Sequence, residues 1–297
     1  MRIFVTGATG FIGSATVQDL LGAGHQVLGL ARSDASAAKL ARLGVETQRG
    51  DLADLDSLVA GARACDGVVH TAFIHDFSTY LENIETDRRA VEALAGAMEG
   101  TDKPLAIASG TLMVAGAAAG RAAVETDAAP GVDSPRAASE AIVLGARGVR
   151  GRVVRLPPTV HGIGDKGFVR WMVGAARDKG VSPYVGEGAN RWPAAHRLDA
   201  ARVFRLAVEH AGPSTALHAV GEEGVATRAI AEAIGAGLGV PVRSIAADEA
   251  AAHFGFLATL IERDNPTSSA ATRQMLGWTP QGPGLLSDIR DADYFAA

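Results

Sequence analysis

The sequence predicts an α/β protein, a doubly wound parallel sheet that carries a smaller, mostly helical C-terminal lobe. Three observations point there. Strand-like apolar runs alternate with helix-period segments through the first half of the 297 residues. A glycine-rich turn, Thr6-Gly7-Ala8-Thr9-Gly10-Phe11-Ile12-Gly13, joins the first such strand to the first such helix. After Leu156 the alternation loosens and turn residues multiply. Parallel strands need a right-handed crossover, usually a helix, so an alternating order builds a sheet with helices on both faces.

In chain order, the apolar runs predict strands over Arg2 to Thr6, Gln26 to Leu30, Val45 to Gln48, Gly67 to Thr71, Pro104 to Ala108 and Arg152 to Leu156. Between them, helical periodicity predicts Ile12 to Leu21, Ala35 to Leu43, Leu55 to Ala62, Asn83 to Met98 and Pro135 to Ala146. An alanine-rich stretch, Ala115 to Ala119, precedes the last of these. Then come a glycine-rich loop from His161 to Gly167, a helix over Phe168 to Arg177, an apolar run at Val181 to Val185 and a loop over Gly186 to Ala194. Leu198 to Glu209 reads as a helix returning to the sheet and Ala216 to Val220 as a strand. The tail from Thr227 reads as mostly helical, broken at Pro241, Pro266 and Pro280. This divides the chain into a nucleotide-binding core, 1–156 with 198–220 returning to it, and a substrate lobe, 157–197 with 221–297.

Composition narrows the class. The chain is 47% hydrophobic and 21% charged, as expected of a globular protein with a substantial core. A net charge of −5 argues against nucleic acid or an anionic membrane surface as partner. A single cysteine, Cys65, rules out an intrachain disulfide and fits a reducing cytosol. The first strand begins at once, leaving no basic and apolar leader, and no apolar segment is long enough to span a bilayer. A cytoplasmic protein is expected. The eight histidines show no metal-ligand spacing, and no metal is expected.

The glycine-rich turn carries the first chemistry. Gly7, Gly10 and Gly13 permit a tight turn, close approach of a pyrophosphate, and close packing of helix on strand. Thr9, Phe11 and Ile12 lie at the helix N-terminus, whose unpaired N–H groups favour an anion. The second strand then selects the cofactor. A carboxylate at its tip would hold the ribose hydroxyls of NAD and repel the 2′-phosphate of NADP. Here the strand runs out through Ala31, Arg32 and Ser33, with a cation and a hydroxyl suited to that phosphate. NADP(H) is the expected cofactor, although Arg32 can also be read as a solvated surface arginine.

From these residues onward the chain resembles the short-chain dehydrogenase/reductase superfamily, in its extended or atypical branch of epimerases and dehydratases with a Rossmann-type core. Gly50-Asp51-Leu52 follows the third strand, and the resemblance implies that Asp51 and Leu52 face the adenine. Val69-His70-Thr71-Ala72 follows the fourth and, by the same resemblance, flanks the cofactor; Asn83 matches the asparagine of the next helix. Ala195-His196-Arg197-Leu198-Asp199 resembles the family's H-V-x-D segment. Plainer readings stand beside these: Asp51 and Asp199 as helix caps, His70 as a hydrogen-bonded core histidine.

The resemblance also locates the reactive positions. After the fifth strand, Ser109-Gly110-Thr111 puts Thr111 where the family polarises its substrate and Ser109 beside the cofactor. The family's S-P-Y-x-x-S-K appears here as Ser134-Pro135-Arg136-Ala137-Ala138-Ser139-Glu140, with arginine and glutamate in place of tyrosine and lysine. Arg136 can stabilise a developing alkoxide but, with a pKa above ~12, cannot give up a proton near neutrality. Glu140 can accept from ribose hydroxyls. Alternatively, the two residues, spaced i,i+4, form an exposed ion pair on one helix face. A proton would then have to come from elsewhere, with His161 and Tyr184 as candidates. The expected function is an NADP(H)-dependent oxidoreductase acting on a small carbonyl or hydroxyl compound. The alternatives are a non-catalytic NADP(H)-binding sensor or scaffold, or an epimerase or dehydratase. The partners expected are a small-molecule substrate and, in a homodimer, a second copy of the chain.

Overall fold

Strand β1 (Arg2–Thr6) is buried along almost its whole length, as a central parallel strand must be. In the computed structural model, which describes residues 1–76, 79–116, 120–128, 135–290 and 292–296, it joins a seven-stranded parallel sheet. Its partners are β2 (Gln26–Ala31), β3 (Glu46–Arg49), β4 (Gly67–His70), β5 (Pro104–Gly110), β6 (Arg150–Leu156) and, from later in the chain, β10 (Thr215–His218). The order is β10-β6-β5-β4-β1-β2-β3. The chain therefore winds outward from β1 through β2 and β3, returns to β4 and winds the other way. Ligands in such sheets bind beyond the carboxyl ends of the strands where the winding reverses, here between β1 and β4.

Helices cover both faces. On one, α1 (Phe11–Gly22), α2 (Asp34–Ala41) and α7 (Arg197–Glu209) bury Val17, Leu20, Leu40, Val203 and Phe204. On the other, α3 (Leu55–Arg63), α4 (Tyr80–Met98) and α5 (Pro135–Gly145) bury Leu58, Val91, Leu94, Met98 and Val143. Ser33 and Asp54 cap α2 and α3 by accepting from Ser36 N and Ser57 N. Helix α1 has no side-chain cap, which leaves its first N–H groups open.

A third core holds the C-terminal lobe. It is built around Val169, Met172 and Val173 of α6 (Phe168–Lys179), Ile230 and Ile234 of α8 (Thr227–Leu238), and Trp192. Helices predominate there, but two small sheets depart from the sequence reading. Strands β7 (Thr159–His161), β9 (Arg191–His196) and β11 (Glu222–Ala226) form one, in the order β11-β9-β7. Strands β8 (Ser182–Val185) and β12 (Val242–Ile245) form the other, parallel. The loop expected over Gly186 to Ala194 therefore ends in a strand, and His161, expected in a loop, closes another. Pro193 lies inside the central strand β9, where a residue without an N–H breaks a ladder. The β11–β9 register shifts between Glu222 and Val225, opposite Pro193, and this bulge releases the proline from pairing.

Candidate active site and cofactor cradle

The three glycines differ in what they allow. Gly7 has a φ of +69°, and a Cβ there would lie 2.6 Å from Ala72 N. A Cβ on Gly13 would lie 2.1 Å from Gly7 O and 2.8 Å from Thr71 Oγ1. Both glycines serve close packing of turn, helix and β4. Gly10 is exposed with an ordinary φ of −76°, and a Cβ there would meet only Gly7 O, at 3.1 Å. Its missing side chain keeps open the space in front of α1. The first helical bond runs from Ser14 N to Gly10 O, so Phe11, Ile12 and Gly13 hold N–H groups ahead of the ladder. Half-buried Thr9 completes the rim. This is a cradle that a Cβ at Gly10 would fill, and it fits a dinucleotide diphosphate.

At the tip of β2, Ala31 is buried and Arg32 exposed; Arg32 makes no hydrogen bond or ion pair among the described residues. Ser33 is occupied as the cap of α2. The next acid, Asp34, is held by Arg49 at 2.6 Å, at the end of neighbouring β3. Asp51 is exposed, with Oδ1 accepting from Ala53 N and Asp54 N in a local turn, and Leu52 packs on the core.

Where β4 ends, the side chains are mostly engaged with the protein itself. Buried His70 shares Nδ1 with Thr6 Oγ1 (2.9 Å) and Nε2 with Asp87 Oδ1 (3.2 Å). Ser139 Oγ donates to the other Asp87 oxygen at 3.0 Å. Burial alone would raise the Asp87 carboxyl, but His70, Ser139 and the Arg136 charge carry it below its ordinary value. The His70 ring is thus a core link between β1, β4 and α4, and its backbone rather than its side chain borders the crevice. Thr71 Oγ1 donates to Thr6 O at 2.8 Å. Asn83 Nδ2 donates to Asp76 O (2.8 Å) and Thr79 Oγ1 (3.1 Å), tying the segment after β4 to the start of α4.

Arg136 and Glu140 part company. The exposed ion pair between them is absent; the helix face they share turns toward the sheet. Half-buried Arg136 donates Nη2 to Ala108 O at 3.2 Å and lies over the Phe73 ring, 4.2 Å from its centre. Glu140 is buried, accepts from Ser109 Oγ, and binds Arg155 of β6 at 2.7 Å. Arg155 also donates to Asp127 O at 2.9 Å and Glu125 O at 3.3 Å. Both Glu140 oxygens are therefore committed inside the protein, which corrects the expectation that Glu140 faces the ribose. Ser109 is committed with it. Ser134 of the same motif, and Ala117 to Ala119 of the alanine-rich stretch, lie outside the described residues.

The remaining candidates are dispersed. Thr111 is fully buried and its hydroxyl accepts from Asn265 Nδ2 at 2.9 Å, so it ties β5 to the lobe instead of lying open to a substrate. A cavity of about 220 Å³ adjoins that link, between Val114, Arg121, Arg191 and Pro266. His161 is fully buried, with Nδ1 on Asp288 Oδ2 at 2.6 Å and Nε2 without a partner. Tyr184 stands in β8 with the Arg228 guanidinium 5.4 Å from its ring centre. Neither makes a contact with Arg136. A larger cavity, about 780 Å³, lies between α6, the Gly162–Lys166 loop and the Phe254 region. Among the described residues no three or more metal-ligating side chains gather, and no helix is long and apolar enough to cross a membrane.

Several residues of the site escaped the sequence reading. Phe73 and His75 follow Ala72 directly, and the aromatic and imidazole crowding a strand end was the available signal. Arg155 is the partner that explains Glu140. Arg197, 5.1 Å from the Phe11 ring centre and bonded to Ile163 O at 2.6 Å, overhangs the start of α1. Nothing in the sequence announced Asn265.

Comparison with known proteins bears on the fold and the family. A 2-alkyl-3-oxoalkanoate reductase of Stenotrophomonas maltophilia is 30% identical over 226 residues, covering 73% of this chain and 68% of that protein. An uncharacterized protein of Schizosaccharomyces pombe is 47% identical over 297 residues, covering 99% of this chain and 100% of that one. The UDP-glucose 4-epimerase of Thermus thermophilus, solved in complex with NAD, shares the fold at a TM-score of 0.77 and 21% identity across 100% of both chains. Residues 3–220, from β1 to just past β10, match the model of the NAD dependent epimerase/dehydratase family, and the chain belongs to that family.

Proposed function

We propose that the protein is an NADP(H)-dependent oxidoreductase that reduces a small carbonyl compound. The observation that carries this reading is the placement of Arg136. Its guanidinium rests on Ala108 O, near the C-terminal end of β5, and on Phe73, just past the end of β4, at the edge where sheets of this kind bind their ligands. A fixed cation there stabilises the negative charge that grows on a carbonyl oxygen as its carbon is reduced. The bound nicotinamide supplies the hydride. The chain's residues hold the cofactor: the Gly7 to Gly13 turn takes the diphosphate, Asp51 and Leu52 the adenine, Thr71 and Ala72 the nicotinamide side. Arg32 takes the 2′-phosphate, supported by the absence of an acid at the β2 tip. The reductase relative, whose named substrate bears a 3-oxo group, supports a carbonyl as the reacting group.

The test is direct. Purified protein is titrated with NADPH and NADH, then offered a panel of aldehydes and ketones while nicotinamide absorbance is followed. Absence of turnover with every carbonyl by cofactor-loaded protein would overturn the reading. A second reading, a cofactor-binding sensor without turnover, is favoured by one observation: Glu140 occupies the lysine position and is wholly engaged by Ser109 and Arg155.

A further inference from the structure

We infer that His75 is the proton donor in the position left by the missing tyrosine. The inference rests on the reductase reading above and names the group that Arg136 cannot be. The segment 71–76 leaves the end of β4 beside β5, and Phe73 is its hub. The Arg136 guanidinium covers that ring at 4.2 Å, and the His75 imidazole meets it edge-on at 5.2 Å between ring centres. Cation and imidazole thus border one aromatic platform near the strand ends, and the Arg136 charge is felt at His75.

The competing donors are committed elsewhere. His70 is locked between Thr6 and Asp87, His161 is sealed against Asp288, and Tyr184 lies under Arg228. His75 by contrast is exposed, its imidazole hydrogen-bonded to the backbone of neighbouring Phe73. Its surroundings also suit an acid. Loss of solvation around the ring, and then the charge of Arg136 on α5, bring its pKa below the ordinary value, against a hydrogen bond to the Phe73 backbone that raises it. The other titratable groups around it are Asp76, next in the chain, and Tyr80 at the start of α4, whose ring meets Phe73 edge-on. A cation pressed against another cation parts with its proton readily, and a nascent alkoxide is the acceptor.

The step balances. The carbonyl carbon gains a hydride from the reduced nicotinamide cofactor, the C=O π pair becomes the O–H bond, and the proton comes from the His75 imidazolium. His75 is left neutral and is reprotonated by water. Because the charged form is the donor, reductive kcat falls as pH rises through a His75 pKa lying below about 6.5.

Two measurements test this, using the full chain and the variants His75→Gln and Arg136→Gln, with melting temperatures to confirm folding. The first needs no cofactor: NMR titration of the His75 imidazole. A midpoint below about 6.5 that rises in Arg136→Gln is expected; a midpoint at or above that value, indifferent to Arg136, overturns the inference. The second is kcat against pH. His75→Gln should lose about 100-fold or more at pH 6 and flatten the falling limb. If His75→Gln keeps both the rate and the limb while Arg136→Gln is impaired, the donor is wrong and the reductase reading stands. If the wild type binds cofactor but turns over no carbonyl, the reductase reading itself fails, and the donor with it.

Discussion

Replacing Glu140 with glutamine removes one charge and almost no volume, and the structure makes that charge expensive to lose. Glu140 and Arg155 are both buried, 2.7 Å apart, with side chains 6% and 3% exposed. Without the carboxylate, the Arg155 guanidinium remains in the interior with the Glu125 and Asp127 carbonyls and His218 as its hydrogen-bond partners. Leaving one partner of a buried pair uncompensated costs about 3–5 kcal/mol. Unfolding entropy near 60 °C is about 2.1 cal/mol/K per residue, which for this chain makes each kcal/mol worth about 1.6 °C. Glu140→Gln should therefore lower Tm by about 5–8 °C in a calorimetric scan. Replacing both members, Glu140→Met with Arg155→Met, should recover much of the loss, since an apolar pair leaves no stranded charge. Glu232→Gln, at the exposed pair with Arg228, serves as control and should shift Tm by less than about 1 °C. A shift that small at Glu140 would refute the claim that the pair is desolvated.

Three further expectations concern the cofactor and the reaction. NADPH should bind more tightly than NADH, and Arg32→Ala should weaken NADPH alone, by about tenfold or more, the worth of a hydrogen bond to a charged group; equal affinities in the wild type refute the assignment. Gly10→Val should stay folded yet lose the rise in Tm that NADP(H) produces, because its φ is ordinary and the one close approach, to Gly7 O at 3.1 Å, asks only a small shift while the cradle is filled; retained cofactor stabilisation would make Gly10 a mere turn residue. Arg136→Ala should lower kcat/KM by about 100- to 1000-fold, as the loss of an oxyanion donor does, while cofactor affinity persists; unchanged turnover would remove Arg136 from the chemistry.

The parallel core was legible because two local signals agree there. Buried strands read as apolar runs, and the glycines at 7, 10 and 13 mark where strand turns to helix. Strand β9 was illegible for a local reason, a proline in its middle, and the bulge that accommodates it belongs to another strand. Arg136 and Glu140 show a different limit. Their spacing correctly places them on one face of α5, but it cannot say what that face meets. The answer is Arg155, on a strand fifteen residues later, and Phe73, far earlier. His75 was missed for the same reason: its relation to Arg136 exists only once β4 lies beside β5.

A short stretch near the end of the chain stitches the sheet's far side. Asn265 holds Thr111, Pro266 O and Ser268 N bond to Ala123, Thr272 binds Glu125, and the Thr272 hydroxyl accepts from His218 N in β10. The segment carrying Glu125 and Asp127 is the one whose carbonyls receive Arg155. A nascent chain that has emerged only to residue 220 has every strand of the large sheet and the Arg155 bonds to that segment, but none of the contacts from Asn265 to Thr272. Those contacts with the segment form only once the residues up to Thr272 are present. The residues from Asn265 to Thr272 thus hold together part of the large sheet's side, and a chain cut at residue 220 would lack those contacts.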